Sequence, residues 1–314
     1  MKVRRPEQNC ANVLKWAGVF VCLLLGACSQ ESAEGPTRGK LHVALEESVA
    51  PPIIRVIEQF NALYAPSANI SYQVLPFASI SADIDTVRLF FTSERVQQNK
   101  LSTEEFNLIN LIVAYDAIVV VADENNPTEK ISTDQLAGLL TGRTKSWKEL
   151  APNDGRRSSI QLFVSALAVP MPLYTRRFGL ASIPTSAVRS SLEIIEGVAG
   201  NSSALGIVGI GWVDSLRPRV KMLSVARSKS DADTTFAPPK EEFEKPFSPH
   251  PANLFLNNYP MKRAVWMQGR TNGKDLAAGF SAFVASAEGQ KILLQHGWLP
   301  ATQKIKLKGQ SPIE

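Results

Sequence analysis

The sequence feature that most constrains the fold is a continuous apolar run at residues 117–122 (AIVVVA). A short run so rich in β-branched residues predicts a strand that is buried on both faces, as in a sheet covered by helices. Asn125-Asn126-Pro127 then breaks the chain, and Ser132 followed three residues later by Gln135 predicts a helix start. Gly142 is suited to end that helix. The order of strand, break and helix predicts an α/β fold, although alone it fits one βα unit of any such protein.

The first 28 residues predict a bacterial lipoprotein signal. Basic residues precede an apolar core at residues 16–25, which is too short to span a bilayer core of about 30 Å. The core ends in Leu25-Gly26-Ala27-Cys28, so residues 1–27 are expected to be removed and Cys28 to be lipidated. An ordinary secretory signal with a chance cysteine is the alternative. Residues 28–39 are expected to form a flexible tether that leaves the domain lipid-anchored and facing the periplasm, at the inner or the outer membrane.

Composition excludes several classes of protein. Without the signal the chain has 30 basic and 28 acidic residues, so most of the formal charge of +5 belongs to the signal and does not indicate a nucleic-acid partner. Cys28 is then the one remaining cysteine, which leaves neither a disulfide nor a cysteine metal site. The histidines (His42, His250 and His296) stand near no nucleophile motif or metal-ligand spacing. We therefore expect no enzyme, no cofactor and no bound metal.

Three motifs in the second half of the chain support a family resemblance. They are residues 204–214 (ALGIVGIGWVD), Tyr259-Pro260-Met261-Lys262-Arg263, and residues 286–300, which open with SAEGQK and close with GWLP. Together with residues 116–150, these motifs resemble the phosphate ABC-transporter substrate-binding proteins, a PstS-like family of the type 2 periplasmic-binding-protein superfamily. The resemblance covers about residues 40–304.

The resemblance implies two Rossmann-like α/β lobes joined by hinge strands. Lobe 1 would comprise residues 40–115 and 264–314, and lobe 2 residues 116–263, with hinge strands at residues 117–122 and 264–267. A cleft would lie at the lobe boundary, facing helix N-termini, where backbone amides suit an anion. The implied function is binding of phosphate or a related small oxyanion as the solute-binding component of an ABC importer, with the permease as partner.

The resemblance also places candidate ligand residues in lobe 1. Ser48 follows the first strand, although Glu46 and Glu47 beside it bring negative charge that is unfavourable for an anion. Ser79 and Ser81 lie in residues 76–81 (PFASIS), where the family often has a Gly/Ser-rich anion loop. The alternative for Ser48 is a plain helix cap.

In lobe 2 the resemblance implies that Ser165, Thr175, Arg176 and Arg177 supply hydroxyl and guanidinium donors. The Ser-Gly-Thr turn of the family is replaced here by Pro172-Leu173-Tyr174, and a proline has no amide hydrogen to donate. Purely structural roles for these donors are the alternative. The lost turn also leaves open a second function, a degenerate binding-protein fold that acts as an envelope interaction or sensor module without phosphate transport.

Overall fold

The computed structural model describes residues 34–82, 87–97, 106–183, 189–216, 219–231 and 235–302. The strands of these residues are β1 (Gly39–Glu46), β2 (Ala68–Leu75), β3 (Leu89–Thr92), β4 (Asn107–Asp123), β5 (Lys130–Ser132), β6 (Gln161–Phe163), β7 (Ala204–Gly209), β8 (Val220–Met222), β9 (Ser224–Ala226), β10 (Pro246–Phe247), β11 (Lys262–Thr271) and β12 (Leu299–Pro300). The α-helices are α1 (Ala50–Tyr64), α2 (Phe77–Ala82), α3 (Thr133–Leu140), α4 (Trp147–Leu150), α5 (Met171–Phe178), α6 (Ser191–Val198), α7 (Ile210–Leu216), α8 (Pro251–Phe255), α9 (Leu276–Ala285) and α10 (Ala287–Gln295).

Strand β4 connects two groups of strands. Its residues 107–117 pair with β11, and β11 pairs in turn with β3, beyond which lie β1 and β2. Its residues 118–123 pair instead with β7 and β8, and β6 lies beyond β7. We call these groups the first sheet (β2, β1, β3, β11, β12 and residues 107–117) and the second sheet (β6, β7, β8 and residues 118–123). Strands β5, β9 and β10 form a separate small sheet.

The central strand and the helix predicted after it are confirmed. Residues 117–122 lie within β4 and are all buried. Ser132 accepts a hydrogen bond from the amide of Gln135, and the Gln135 side chain accepts one from the amide of Ser132, which completes the predicted capping box of α3. Gly142 has a φ of 71°, the left-handed region that glycine enters at little cost after a helix.

One region differs from the sequence expectation, and a second forms a longer strand than expected. Residues 76–81, expected at the position of an anion loop, lie largely in helix α2, where the amides of Ser79 and Ile80 donate to the carbonyl of Pro76. The segment has no glycine to open a loop, and burial of Ile80 favours the helical turn. Residues 264–267, expected as a hinge strand, do form a strand, as part of the longer β11, which pairs along its length with β3 and with residues 107–117. Among the described strands, β4 is therefore the one that passes from the first sheet into the second.

Aromatic packing under the first sheet fixes the orientation of helix α1. Phe60 packs against Phe280 and Phe283 of α9, with ring centroids 5.4 Å apart in both pairs and near-perpendicular planes. Phe91 of β3 contacts Phe280 from the sheet side at 6.2 Å. This packing aims the N-terminal end of α1, and the turn before it, at the boundary between the two sheets.

Candidate functional site

Charged residues are buried where the first sheet meets the second. Glu46, Glu47 and Ser48 leave the end of β1 at this boundary, Asp116 lies in β4 and Arg263 lies in β11. All five residues are buried. Burial of charge costs free energy unless each charge has partners, so the contacts of these residues define what the junction can do. We refer to the five residues as the junction cluster.

Arg263 and Asp116 form a buried ion pair at the centre of the junction cluster. Nε of Arg263 lies 2.8 Å from Oδ2 of Asp116, and Nη2 lies 2.5 Å from the same oxygen. Nη1 donates to the hydroxyl of Ser48 at 3.2 Å, and Nη2 donates to the Ser48 carbonyl at 3.1 Å. The guanidinium thus links β4 and β11 to the turn after β1. Burial raises the pKa of Asp116, although Arg263 opposes the rise.

Glu46 is bound by residues that follow shortly after strands of the first sheet. Its carboxylate accepts hydrogen bonds from the amide of Ser93 at 2.7 Å and from the Ser93 hydroxyl at 2.8 Å. The hydroxyl of Ser48 also donates to it. Burial raises the pKa of Glu46, and the charge of Arg263 and these hydrogen bonds counteract part of that rise.

Glu47 reaches from the first sheet to a helix that packs on the second. Its carboxylate accepts from the amide of Ser191 at 2.7 Å and from the Ser191 hydroxyl at 3.0 Å. Ser191 is the first residue of α6, which packs on β7. The main-chain carbonyl of Glu47 accepts a hydrogen bond from Nε1 of Trp212 at 2.8 Å. Burial raises the pKa of Glu47 to about 7, while the two hydrogen bonds from Ser191 lower it.

Two glycines let the second sheet approach this turn closely. A Cβ atom on Gly209 would lie 2.4 Å from the carbonyl oxygen of Ser48 and 2.9 Å from Nη2 of Arg263. A Cβ atom on Gly211 would lie 2.7 Å from the ring of Pro52. These positions belong to the glycine-containing motif at residues 204–214, so the requirement for glycine there is one of space at the junction.

Of the residues predicted to bind a ligand, Ser48 lies in the junction cluster. Ser79 and Ser81 lie in α2, where the amide of Ser79 donates to Pro76 and the hydroxyl of Ser81 donates to the carbonyl of Ala78. Those bonds hold α2 together locally.

Two further predicted residues shape loops of the second half of the chain. The hydroxyl of Ser165 is buried and accepts from the amides of Leu167 and Arg189, at 3.1 and 3.2 Å. The hydroxyl of Thr175 donates to the carbonyl of Leu180 at 2.7 Å and closes the turn after α5.

The predicted arginines of α5 are held by carboxylates. Arg176 forms a two-pronged ion pair with Glu94, with both N–O distances 2.8 Å. Since Glu94 follows β3, this pair links α5 to the first sheet. Arg177 contacts Asp231 at 2.7 Å, and Arg227 approaches the same carboxylate at 3.7 Å. Of the predicted ligand residues, Ser48 therefore lies in the junction cluster, and the others make separate contacts elsewhere in the fold.

Sequence reasoning missed the residues that meet Glu46 and Glu47. Ser93 and Ser191 supply amide and hydroxyl donors, and Asp116 and Arg263 supply the buried ion pair. A signal for this was present, because adjacent glutamates directly before a buried helix start require partners. The sequence did not indicate which serines those partners would be.

Within the described ranges, no group of histidine, cysteine or acidic side chains has the arrangement to hold a metal ion. No helix of those ranges combines the length and apolar character needed to cross a membrane. Two cavities of about 460 Å³ each lie away from the junction cluster: one is lined by residues between Pro127 and Asn153, and the other by residues between Ser132 and Glu244. Cys28 lies outside the described residues.

Comparison with known proteins decides the family. Residues 30–288 match the family described as the PBP (periplasmic binding protein) superfamily domain. The chain belongs to this superfamily. The chain is 20% identical to the phosphate-binding protein PstS of Pseudomonas aeruginosa over 92% of its length and 94% of that protein. It is 22% identical to PstS of Borreliella burgdorferi over 66% of its length and 68% of that protein. It is therefore a PstS-like member, and its relatives of known type are solute-binding proteins rather than enzymes.

Solved structures agree on the fold. One is a protein from Clostridium perfringens that is assigned as a phosphate ABC-transporter substrate-binding protein and was solved with bound phosphate. It aligns with a TM-score of 0.65 at 18% identity, covering 84% of this chain and all of that one. An ABC-type phosphate transport receptor of Vibrio cholerae aligns with a TM-score of 0.58 at 20% identity, covering 82% and 99%. The predicted fold class, a type 2 periplasmic binding protein, is confirmed.

Proposed function

We propose that this chain is the solute-binding component of an envelope ABC importer and that it binds phosphate or a related small oxyanion between two lobes. The lobes correspond to residues 40–115 with 264–314 and to residues 116–263, so the junction cluster lies at their boundary. The observation that carries the proposal is the convergence of hydrogen-bond donors at that boundary.

The converging donors are of the kind that an oxyanion requires. The amide and hydroxyl of Ser93 come from the first sheet, and the amide and hydroxyl of Ser191 come from the start of α6. The hydroxyl of Ser48 and the guanidinium of Arg263 lie between them. Backbone amides, hydroxyls and one guanidinium together bind tetrahedral oxyanions through charge-assisted hydrogen bonds. Carboxylate oxygens of Glu46 and Glu47 now accept most of these bonds.

The relatives support the same ligand class. The Pseudomonas and Borreliella relatives are phosphate-binding proteins by name, and the structure from Clostridium perfringens contains phosphate. Arg176 and Arg177 of α5 remain part of the proposal although Glu94 and Asp231 pair with them, because an oxyanion that reached α5 would compete for the same guanidinium groups.

The test is calorimetric titration of the full chain in detergent with phosphate, sulfate and glycerol phosphate. We expect phosphate to bind, and Arg176→Ala or Arg177→Ala to weaken binding by at least about tenfold where that arginine faces the ligand. Arg55→Ala, on the exposed face of α1, is the matched control. Binding left intact by both α5 substitutions would remove those arginines from the site. Failure of the wild-type chain and of all variants to bind any oxyanion would refute the function.

We also propose that the chain is a lipoprotein anchored through Cys28 and facing the periplasm. The supporting feature is Leu25-Gly26-Ala27-Cys28 directly after a short apolar core. Cells grown with a clickable palmitate analogue should label the wild-type chain, and Cys28→Ala should abolish the label. Cys22→Ala, inside the segment expected to be removed, is the matched control. Equal labelling of the wild type and Cys28→Ala would refute the anchor.

A second candidate function is an envelope interaction or sensor module that does not transport phosphate. The specific observation in its favour is that glutamates of the chain already occupy the donors of Ser93 and Ser191. The titration above separates the two functions, because this second one predicts no binding of any of the three anions.

A further inference from the structure

We propose that Glu47 is an intramolecular ligand: its carboxylate occupies the oxyanion position at the start of α6 and holds the two lobes closed until a solute displaces it. The inference rests on the proposed function for the identity of the competing solute. The contact that holds the lobes closed involves residues of this chain and does not depend on which solute binds. Its basis is the contact between Glu47 and Ser191, which crosses from the turn after β1 to α6.

The carboxylate of Glu47 makes the contacts that an oxyanion would make. It accepts one bond from a backbone amide at 2.7 Å and one from a hydroxyl at 3.0 Å, both of Ser191. Ser191 is fully buried, so this carboxylate, rather than water, satisfies its donors. Helix N-termini favour negative charge because their first amides lack partners within the helix. Any oxyanion that used the same two donors would have to replace Glu47.

Other contacts hold Glu47 in this position from both sides of the boundary. Nε1 of Trp212, in α7 on the lobe 2 side, donates to the main-chain carbonyl of Glu47 at 2.8 Å. The next residue, Ser48, has its carbonyl 3.1 Å from Nη2 of Arg263 and lies where a Cβ atom on Gly209 would collide with it. The turn is therefore packed against lobe 2 through three residues of that lobe: Ser191 and Trp212 contact Glu47, and Gly209 contacts Ser48. This is a closed arrangement with the Glu47 carboxylate at its centre.

The charges around Glu47 make direct addition of an anion unfavourable. Glu46 is adjacent, and Asp116 lies on the far side of Arg263, which is the one positive side chain in the junction cluster. A solute anion next to three carboxylates would meet repulsion at short range in a poorly solvated site. Because Glu47 is tethered, it also competes at a high effective concentration. Solute binding therefore requires that Glu47 leave Ser191 or take up a proton.

The first measurement is titration of the full chain in detergent with inorganic phosphate at pH 8 and at pH 6. We expect Glu47→Gln, which removes the charge and keeps the shape, to bind phosphate at least about tenfold more tightly than the wild type at pH 8. At pH 6 the difference should shrink, because protonation of wild-type Glu47 has the same effect. Glu58→Gln, an exposed glutamate of α1, should match the wild type at both values.

The second measurement is hydrogen–deuterium exchange of the same proteins without phosphate. Glu47→Ala should accelerate exchange of amides at residues 48–50, 53–54, 191–195 and 210–213, which face one another across the boundary, and Glu58→Ala should not. Phosphate should restore protection in Glu47→Ala and change the wild type little. If Glu47→Ala fails to fold, the same hydrogen–deuterium exchange experiment is carried out on Glu47→Gln.

The outcomes separate this inference from the proposed function. Unchanged exchange in both Glu47 variants, or phosphate affinity that falls or stays constant in Glu47→Gln, would overturn the inference. Faster exchange in Glu47→Ala with no anion bound by any protein would support Glu47 as the element that closes the lobes and would refute oxyanion binding.

Discussion

The buried guanidinium of Arg263 is the single group on which the junction cluster most depends. It pairs with Asp116, whose side chain is 0% exposed, and its own side chain is 1% exposed. Removing it leaves Asp116 and Glu46 without their nearest positive charge in a site that water does not reach. A buried ion pair adds little net stability relative to apolar residues, but breaking one by removing a partner is costly.

We therefore expect Arg263→Met to lower the free energy of unfolding by about 3–5 kcal/mol, measured by urea denaturation at pH 7. The control is Arg55→Met, which breaks the exposed Arg55–Glu58 pair and should cost about 0–1 kcal/mol. Adding Asp116→Leu to Arg263→Met should recover part of the loss, since the orphaned charge is then absent. A loss no larger than that of the control would contradict the assignment of Arg263 as a buried, paired charge.

The raised pKa of Glu47 gives a pH dependence whose sign can be stated. Its pKa of about 7 in the folded protein exceeds its ordinary value of 4.5, because burial disfavours the charged form. Between these pH values the folded protein holds a proton that the unfolded chain has released. The stability that Glu47 contributes is therefore fully present below about pH 4.5 and is lost as pH rises through about 7.

Urea denaturation of the wild type and Glu47→Gln at several pH values from 5 to 8 measures this effect. The wild type should lose on the order of 1–3 kcal/mol relative to Glu47→Gln across that range. The comparison is needed because burial also raises the pKa of Glu46 and Asp116, and Arg263 faces all three carboxylates. Parallel pH profiles for the two proteins would show that Glu47 is not the group that titrates.

At the scale of secondary structure, the motif at residues 204–214 places β7 and α7 against the turn after β1. Gly209 lies in an extended strand, so an unusual backbone angle is not the reason for a glycine here. The reason is space, because a Cβ atom at this position would lie 2.4 Å from the carbonyl oxygen of Ser48. A side chain there would push the second sheet away from the junction cluster. The motif thus connects a strand of the second sheet to the position of Glu47.

Gly209→Ala should destabilise the protein by about 1–3 kcal/mol, as overpacking of a well-packed interior generally does. The same substitution should also accelerate hydrogen exchange at residues 48–50 and 53–54. Gly35→Ala is the control, because a Cβ atom on Gly35 would meet no atom within 4 Å. Wild-type stability and exchange in Gly209→Ala would indicate that the two sheets have room to separate locally.

The same scale explains which parts of the fold could be read from the sequence. The strand at residues 117–122 and the capping box at Ser132 are local patterns, and both were predicted correctly. The contact of Glu47 with Ser191 joins residues 144 positions apart, and no local pattern specifies which donors meet which carboxylate. The Glu46-Glu47 pair signalled that the anion pocket was unusual. Only the three-dimensional arrangement shows that these carboxylates take the donors themselves.

At the scale of the whole molecule, a second contact joins the two proposed lobes at a distance from Glu47. Arg176 of α5 and Glu94 after β3 form a two-pronged ion pair with both distances 2.8 Å. The side chain of Arg176 is 44% exposed and that of Glu94 is 15% exposed, so solvent weakens the attraction. We expect this pair to contribute little to the free energy of unfolding and to act on the balance between open and closed lobes.

Reversing one charge of this pair tests its effect on closure. Arg176→Glu places two carboxylates face to face, so it should accelerate hydrogen exchange at residues 191–195 and 210–213 while changing the free energy of unfolding by no more than about 1 kcal/mol. The double reversal, Arg176→Glu with Glu94→Arg, restores opposite charges and should recover most of the protection. Lys148→Glu, a single reversal on α4, controls for the change in net charge. Equal exchange in the single and double reversals would show that the Arg176–Glu94 attraction has no part in holding the lobes together, and closure would then depend on Glu47 and its neighbours in the junction cluster.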